Sequence, residues 1–210
     1  SGNFSMLMDI FSEELPGCTN NQYFQMLLRA SENLKETISN LNEVVLTYSN
    51  PNIELVSINL LSVIQKAVNT AKVSYLQKNA SINIDVPNNI FVLAVPAYLD
   101  SIILNLLTNA FKYAAPNRDL TLSISAFIKG SYVVLSVQDN GLGIDLKNNI
   151  NKLFGLYKTF HGNDDARGVG LFITKNQIEA MGGKIEVESE VNVGTNFIVH
   201  LKNDRTHEKN

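Results

Sequence analysis

The 210 residues, 45% hydrophobic and 18% charged, suffice for one good core or two small ones and have the balance of a soluble globular chain. A net charge of −3 gives no reason to expect nucleic acid as a partner, because binding by counterion release needs a positive surface. The single cysteine, Cys18, excludes an internal disulfide. No apolar run reaches the ~20 residues that span a bilayer, and no signal-peptide pattern opens the chain. The expectation is a cytoplasmic region without a membrane segment, whose parent can still be membrane-anchored.

Phe4, Met8, Phe11 and Leu15 keep helical spacing, which predicts a short amphipathic helix ended by Pro16-Gly17. From Gln22 to Ser49, the positions Phe24, Leu27, Ser31, Leu34, Ile38, Leu41, Val45 and Tyr48 step by three and four, the seam of a helix packed on other helices. A helix of ~28 residues is ~42 Å long, and two helices alone leave much of such a stripe wet. The hairpin is therefore expected to form a homodimeric four-helix bundle, with a hairpin folded back on its own domain as the alternative.

Asn50-Pro51-Asn52 begins a linker, so residues 1–50 read as a dimerisation unit and 51–203 as a second domain. Ile53 to Ile58 reads as a strand, and Leu60 to Gln77 as an amphipathic helix. Ser81 to Val86 and Ile90 to Ala94 read as a strand pair around Pro87-Asn88-Asn89. Pro96 suits the first turn of a helix reaching Ala114. Leu120 to Ile128 and Tyr132 to Val137 predict a hairpin about Lys129-Gly130-Ser131. Gly168 to Met181 is a helix stopped by Gly182-Gly183, followed by strands at Lys184 to Glu188 and Thr195 to Leu201. Helices and antiparallel-type strands mix without strict βαβ alternation, which predicts an α+β fold, a sheet with helices on one face. The polar residues 204–210 are expected to be a disordered tail.

Four stretches carry chemistry. On the helix from Ala97, Asn105, Asn109 and Lys112 stand four and then three apart, a polar stripe on an otherwise apolar helix that needs partners. The β-rich run ending Val137-Gln138 delivers Asp139 into a turn containing Gly141, Gly143 and Ile144. Leu153-Phe154 follows, and then Arg167-Gly168-Val169-Gly170-Leu171 opens a helix, where free N–H groups and the dipole favour phosphate.

As an ordered set these stretches resemble the N box, first glycine box, F box and second glycine box of the sensor histidine kinases of two-component signalling. That family lies in the ATPase superfamily (GHKL type) shared with gyrase, Hsp90 and MutL. The resemblance implies a dimerisation hairpin followed by an ATP-binding α/β sandwich. It also implies that Asp139 accepts a hydrogen bond from the adenine amine while Gly141 and Gly143 let base and sugar approach. Tyr113 lines the nucleotide's flank, and Thr195, matching the family's late Gly-Thr, completes the adenine contact or is simply structural. For Mg²⁺, which prefers oxygen ligands and takes the rest from phosphates, Asn109 is the expected ligand with Asn105 in support, and Lys112 pairs with phosphate oxygens. An internal hydrogen-bonding stripe with a snorkelling Lys is the alternative. His161 to Arg167 is expected to be a mobile lid, with Lys158 and Arg167 its cations. Phe154, with Phe160 as second choice, is either an apolar latch or an ordinary core residue.

Two departures stand out: Phe172 replaces a third glycine in the second glycine box, and no histidine stands on the hairpin. The three histidines are His161, His200 and His207. The expectation is a fragment beginning just past the phosphoacceptor, from a kinase whose parent passes phosphate on to a response-regulator aspartate. Two alternatives are a nucleotide-gated scaffold without kinase activity and a serine kinase or ATPase of the same superfamily. In the ATPases a Glu commonly stands where Asn105 does here.

Overall fold

The computed structural model describes residues 21–28, 30–31, 54–74, 80–155 and 169–207, and the chain divides into two compact units, Ser1–Ser49 and Asn50–Asn210. In the first unit the described residues 22–28 and 30–31 are helical, with Asn21 Oδ1 accepting from the Tyr23 N–H at 2.8 Å. The earlier expected helix and the rest of the hairpin seam lie outside the described residues.

The second unit contains β1 (Val56–Asn59), α1 (Leu60–Ser74), β2 (Ala80–Asp85), β3 (Phe91–Ala94), α2 (Pro96–Lys112), β4 (Leu120–Lys129), β5 (Tyr132–Asp139), α3 (Leu146–Leu153), α4 (Gly170–Ala180), β6 (Lys184–Glu190) and β7 (Gly194–Asn203). The strands form one mixed sheet in the order β1-β3-β7-β5-β4-β2, with β6 also paired to β7. Every pairing is antiparallel except β2 with β4. Strand alternation sorts side chains between the faces. Leu122, Ile124, Val133, Leu135, Val137, Phe197 and Val199 point inward and are buried with Leu60, Ile64, Leu99, Ile103, Leu106 and Phe111 of the helices. Thr121, Ser123, Ser125, Gln138 and Asn196 take the other face. This is the α+β arrangement that the pattern predicts.

The expected pair of residues 81–86 with 90–94 does not form. β2 sits at one edge beside β4, and β3 lies near the other edge between β1 and β7. Alternation fixes the face a strand presents but not its partner, and here the intervening turn is tied elsewhere. Asn59 Nδ2 donates to Asn88 O at 2.7 Å and the Leu60 N–H to Ile90 O at 3.1 Å, which brings β3 alongside β1. The strand expected at residues 53–58 is observed at Val56–Asn59. An unforeseen helix, α3, follows the glycine turn.

A tail of disorder from residue 204 is also not what the structure shows through residue 207. Asn203 and Asp204 are buried, and the Asp204 N–H donates to Phe91 O at 3.0 Å. Asp204 Oδ1 then accepts from Thr206 N–H and Oγ1, capping a 3₁₀ turn at Arg205–His207. Composition marked this stretch as polar, but its polar groups are satisfied by the end of the sheet. Residues 208–210 lie outside the described residues.

Candidate nucleotide site

Helix α2 positions the amide stripe. It starts at Pro96, whose missing N–H is harmless in a first turn, and its buried residues include Leu99, Ile102, Ile103, Leu106, Leu107, Ala110 and Phe111. Asn105, Asn109, Lys112 and Tyr113 are only half-buried, so they line the edge of the core. Asn105 Nδ2 donates to Thr174 Oγ1 of α4 at 2.8 Å. Gly170, at the start of α4, approaches the same amide so closely that a Cβ there would lie 2.5 Å from Asn105 Oδ1. Asn109 makes no side-chain hydrogen bond among the described residues. Lys112 Nζ lies 6.0 Å from the Tyr113 ring centroid, and burial pushes the Tyr113 hydroxyl above its ordinary pKa.

The C-terminal end of α2 meets the Asp139 turn. Leu142 donates its N–H to Tyr113 O at 2.9 Å, and a Cβ on Gly141 would stand 2.5 Å from the same carbonyl. Asp139 ends β5 with Oδ1 accepting from the Gly141 N–H at 2.8 Å and from the Thr195 N–H at 3.3 Å. Oδ2 accepts from no described residue. Burial raises the Asp139 carboxyl above the usual Asp range, and the two amide bonds oppose that shift. Thr195, directly opposite Asp139 in the β5–β7 register, is buried with its Oγ1 2.9 Å from Ser189 Oγ. Ser189 Oγ also accepts from the Ile144 N–H at 2.8 Å. Gly143 has φ 67°, and a Cβ there would overlap the Glu190 carbonyl, so only glycine suits that corner.

Three predicted residues, Lys158, Arg167 and Gly168, lie outside the described residues, as do Phe160 and the expected lid. Val169 is buried and Leu171 half-buried at the start of α4, where no side chain caps the helix. Phe154 packs against the core with Lys175 Nζ 5.7 Å from its ring centroid. The structure thus brings Asn105, Gly170 and Leu171 together at the middle of α2, and Tyr113, Asp139, Gly141, Gly143, Ile144 and Thr195 at its C-terminal end. Asn109 and Lys112 stand between. Arg118 was missed: it donates to three backbone carbonyls around the Asp139 turn, and its only sequence signal is a lone cation in the polar turn Asn117-Arg118-Asp119.

Residues 94–205, from the end of β3 through β7, match the family described as histidine kinase-, DNA gyrase B-, and HSP90-like ATPase. The chain belongs to that family. It is 36% identical over 146 residues to the sensor protein RprX of Bacteroides fragilis, covering 65% of this chain and 28% of that protein. It is 30% identical over 141 residues to the sensor protein SrrB of Staphylococcus aureus, covering 62% and 23%. The chain therefore spans less than a third of either relative. In fold it is similar to the Acinetobacter baumannii histidine kinase AdeS, with a TM-score of 0.70 at 17% identity over 96% of this chain and 98% of that one. It is likewise similar to the mycobacterial sensor histidine kinase MprB, with a TM-score of 0.63 at 19% identity over 70% and 98%. Together these place the second unit in that ATPase family, in a fold it shares with histidine kinases. Among the described residues no helix is long and apolar enough to cross a membrane.

Proposed function

We propose that the second unit binds Mg-ATP across the edge of α2, and that the parent protein transfers the γ-phosphate to a histidine and then to a response-regulator aspartate. One observation carries the reading. The helix bearing Asn105, Asn109 and Lys112 meets the Asp139 turn at its C-terminal end, through Tyr113, and the Gly170 end of α4 near its middle, through Asn105. A base seated at Asp139 then has its phosphates directed along the amide stripe toward the second glycine motif.

The roles follow from donor and acceptor chemistry. Asp139 Oδ2 accepts from the exocyclic amine of adenine, while Oδ1 stays held by Gly141 and Thr195. Asn109, whose amide oxygen has no described partner, is the metal ligand. Asn105 is fixed by Thr174 and so supports the site more than it binds. No group of three or more His, Cys, Asp or Glu that could hold a metal occurs among the described residues. Mg²⁺ dehydrates reluctantly and takes few protein ligands plus phosphates, for which one amide oxygen beside a triphosphate suffices. The ion supplies charge neutralisation to the phosphates when bound. Lys112, and beyond the described residues Lys158, Arg167 and Gly168, contact phosphate oxygens. Phosphoryl transfer depends mainly on positioning and electrostatics, and that is what this set of groups offers.

The acceptor histidine is proposed to be supplied by the parent, since none of the chain's three stands on the expected hairpin. The hairpin is proposed to pair two protomers, and a receiver domain to be the phosphate's destination. Titration of a fluorescent ATP analogue with and without magnesium tests the central claim. Saturable, magnesium-strengthened binding is expected, Asn109→Ala should remove the magnesium effect, and a flat titration of the unmodified protein would end the proposal.

A further inference from the structure

Arg118 lies in the connection between α2 and β4, half-buried, and makes no ion pair among the described residues. Among the described residues its guanidinium hydrogen bonds all go to backbone oxygens. Nε donates to Asn140 O at 2.7 Å, and one Nη donates to Gly141 O at 2.7 Å and to Asn192 O at 2.7 Å. Guanidinium donors lie in a rigid plane, so the carbonyls they hold take a set arrangement.

The peptide plane passes that constraint on. Fixing a carbonyl fixes the N–H of the next residue, because the two share a rigid plane. The Asn140 carbonyl shares its plane with the Gly141 N–H, the donor to Asp139 Oδ1 at 2.8 Å. The Gly141 carbonyl shares its plane with the Leu142 N–H, which donates to Tyr113 O at 2.9 Å. The third carbonyl belongs to the β6–β7 turn, where Asn192 has φ 63° and returns its own N–H to Leu142 O at 2.7 Å. One side chain therefore orients the donor that orients the acid, and braces that turn against its neighbour.

We propose that Arg118 is a positioning residue for the nucleotide base, acting through the Gly141 amide on the Asp139 carboxylate without touching the ligand; this rests on the nucleotide reading above. The test compares unmodified protein, Arg118→Ala and Arg118→Lys by titration with a fluorescent ADP analogue and by competition with adenosine, beside thermal melts. Arg118→Ala should weaken both ligands by the same factor, about tenfold or more, since the defect lies at the base and not at the phosphates. Added methylguanidine should restore part of that affinity. If the alanine variant does not fold, Arg118→Lys decides, since a single ammonium cannot reproduce the planar fork. It should bind several-fold more weakly at an unchanged melting temperature, with faster amide exchange at Gly141. Equal affinities in the folded variants would overturn the inference. No binding by the unmodified protein would instead overturn the nucleotide reading beneath it.

Discussion

Around Asp139 the backbone is fastened from several sides, by Arg118 on three carbonyls, by Ser189 on the Ile144 amide and by Asn192 on Leu142, whereas among the described residues the start of α4 has fewer side-chain ties. There the N-cap residue Val169 contributes no capping side chain, and the Asn105–Thr174 side-chain hydrogen bond joins the helix to α2. The first corner is built to keep one geometry. The second presents a helix N-terminus, whose first N–H groups have no intrahelical partner, at the place where a nucleotide's phosphates would arrive. A base needs a fixed acceptor, since hydrogen-bond strength falls steeply with angle, while phosphate recognition tolerates adjustment. The contrast is therefore what a site handling a purine and a transferable phosphate would show.

The contrast can be broken most decisively at Asp139. Asp139→Ala removes both the proposed base contact and the acceptor for two backbone amides. Nucleotide affinity should fall by at least about tenfold in isothermal titration, the loss of one buried polar contact being ~1–3 kcal/mol. Next comes Gly143→Ala. Its positive φ and the Glu190 backbone leave no room for a methyl, so stability should fall by roughly 1–3 kcal/mol in denaturant melts.

Gly170→Ala sharpens the comparison from the other corner. Its Cβ would meet the Asn105 side chain, which can turn away by giving up Thr174, so a smaller loss of about 1 kcal/mol is expected. A cost equal to that at Gly143 would show the corners to be equally rigid.

The smallest effect is the pH dependence set by Asp139. Its folded pKa is raised, so the folded state holds the proton more tightly than the unfolded chain. This group's contribution to stability is thus fully present below the ordinary Asp range and is lost as pH rises through the raised value. Binding that uses the carboxylate runs the opposite way and should weaken on acidification at a pH above that of an ordinary Asp. Parallel pH series of melts and titrations on the unmodified protein and Asp139→Asn should show both slopes, and the variant should lack them.

Much of this was legible because local chemistry decided it. The β4–β5 hairpin follows from two apolar runs about Gly130-Ser131. The stop of α4 follows from Gly182, at φ 74°, with Gly182 and Gly183 returning their N–H groups to Glu179 and Ile178 at 2.9 Å. Asp139 at a strand end beside glycines was equally plain. What escaped was set by partners distant in sequence. Alternation in residues 80–85 could not say that their neighbour is β4, reached only after β3 and α2 intervene. The polar run Leu146–Leu153 carries too few apolar residues to advertise α3. Arg118 works through backbone carbonyls, which have no side-chain pattern to pair with it.

The position of β7 bears on how this domain is made. It is the last strand of the described chain, yet it lies between β5 and β3 and also pairs with β6. A nascent polypeptide leaving the ribosome therefore carries β5 with one side of its backbone still unpaired until residues 194–203 emerge. Non-local pairing of this kind forms slowly and exposes strand edges meanwhile. Stalled or shortened products ending before that stretch should be clients of chaperones and proteases, with a hairpin-sized remnant in place of a working domain.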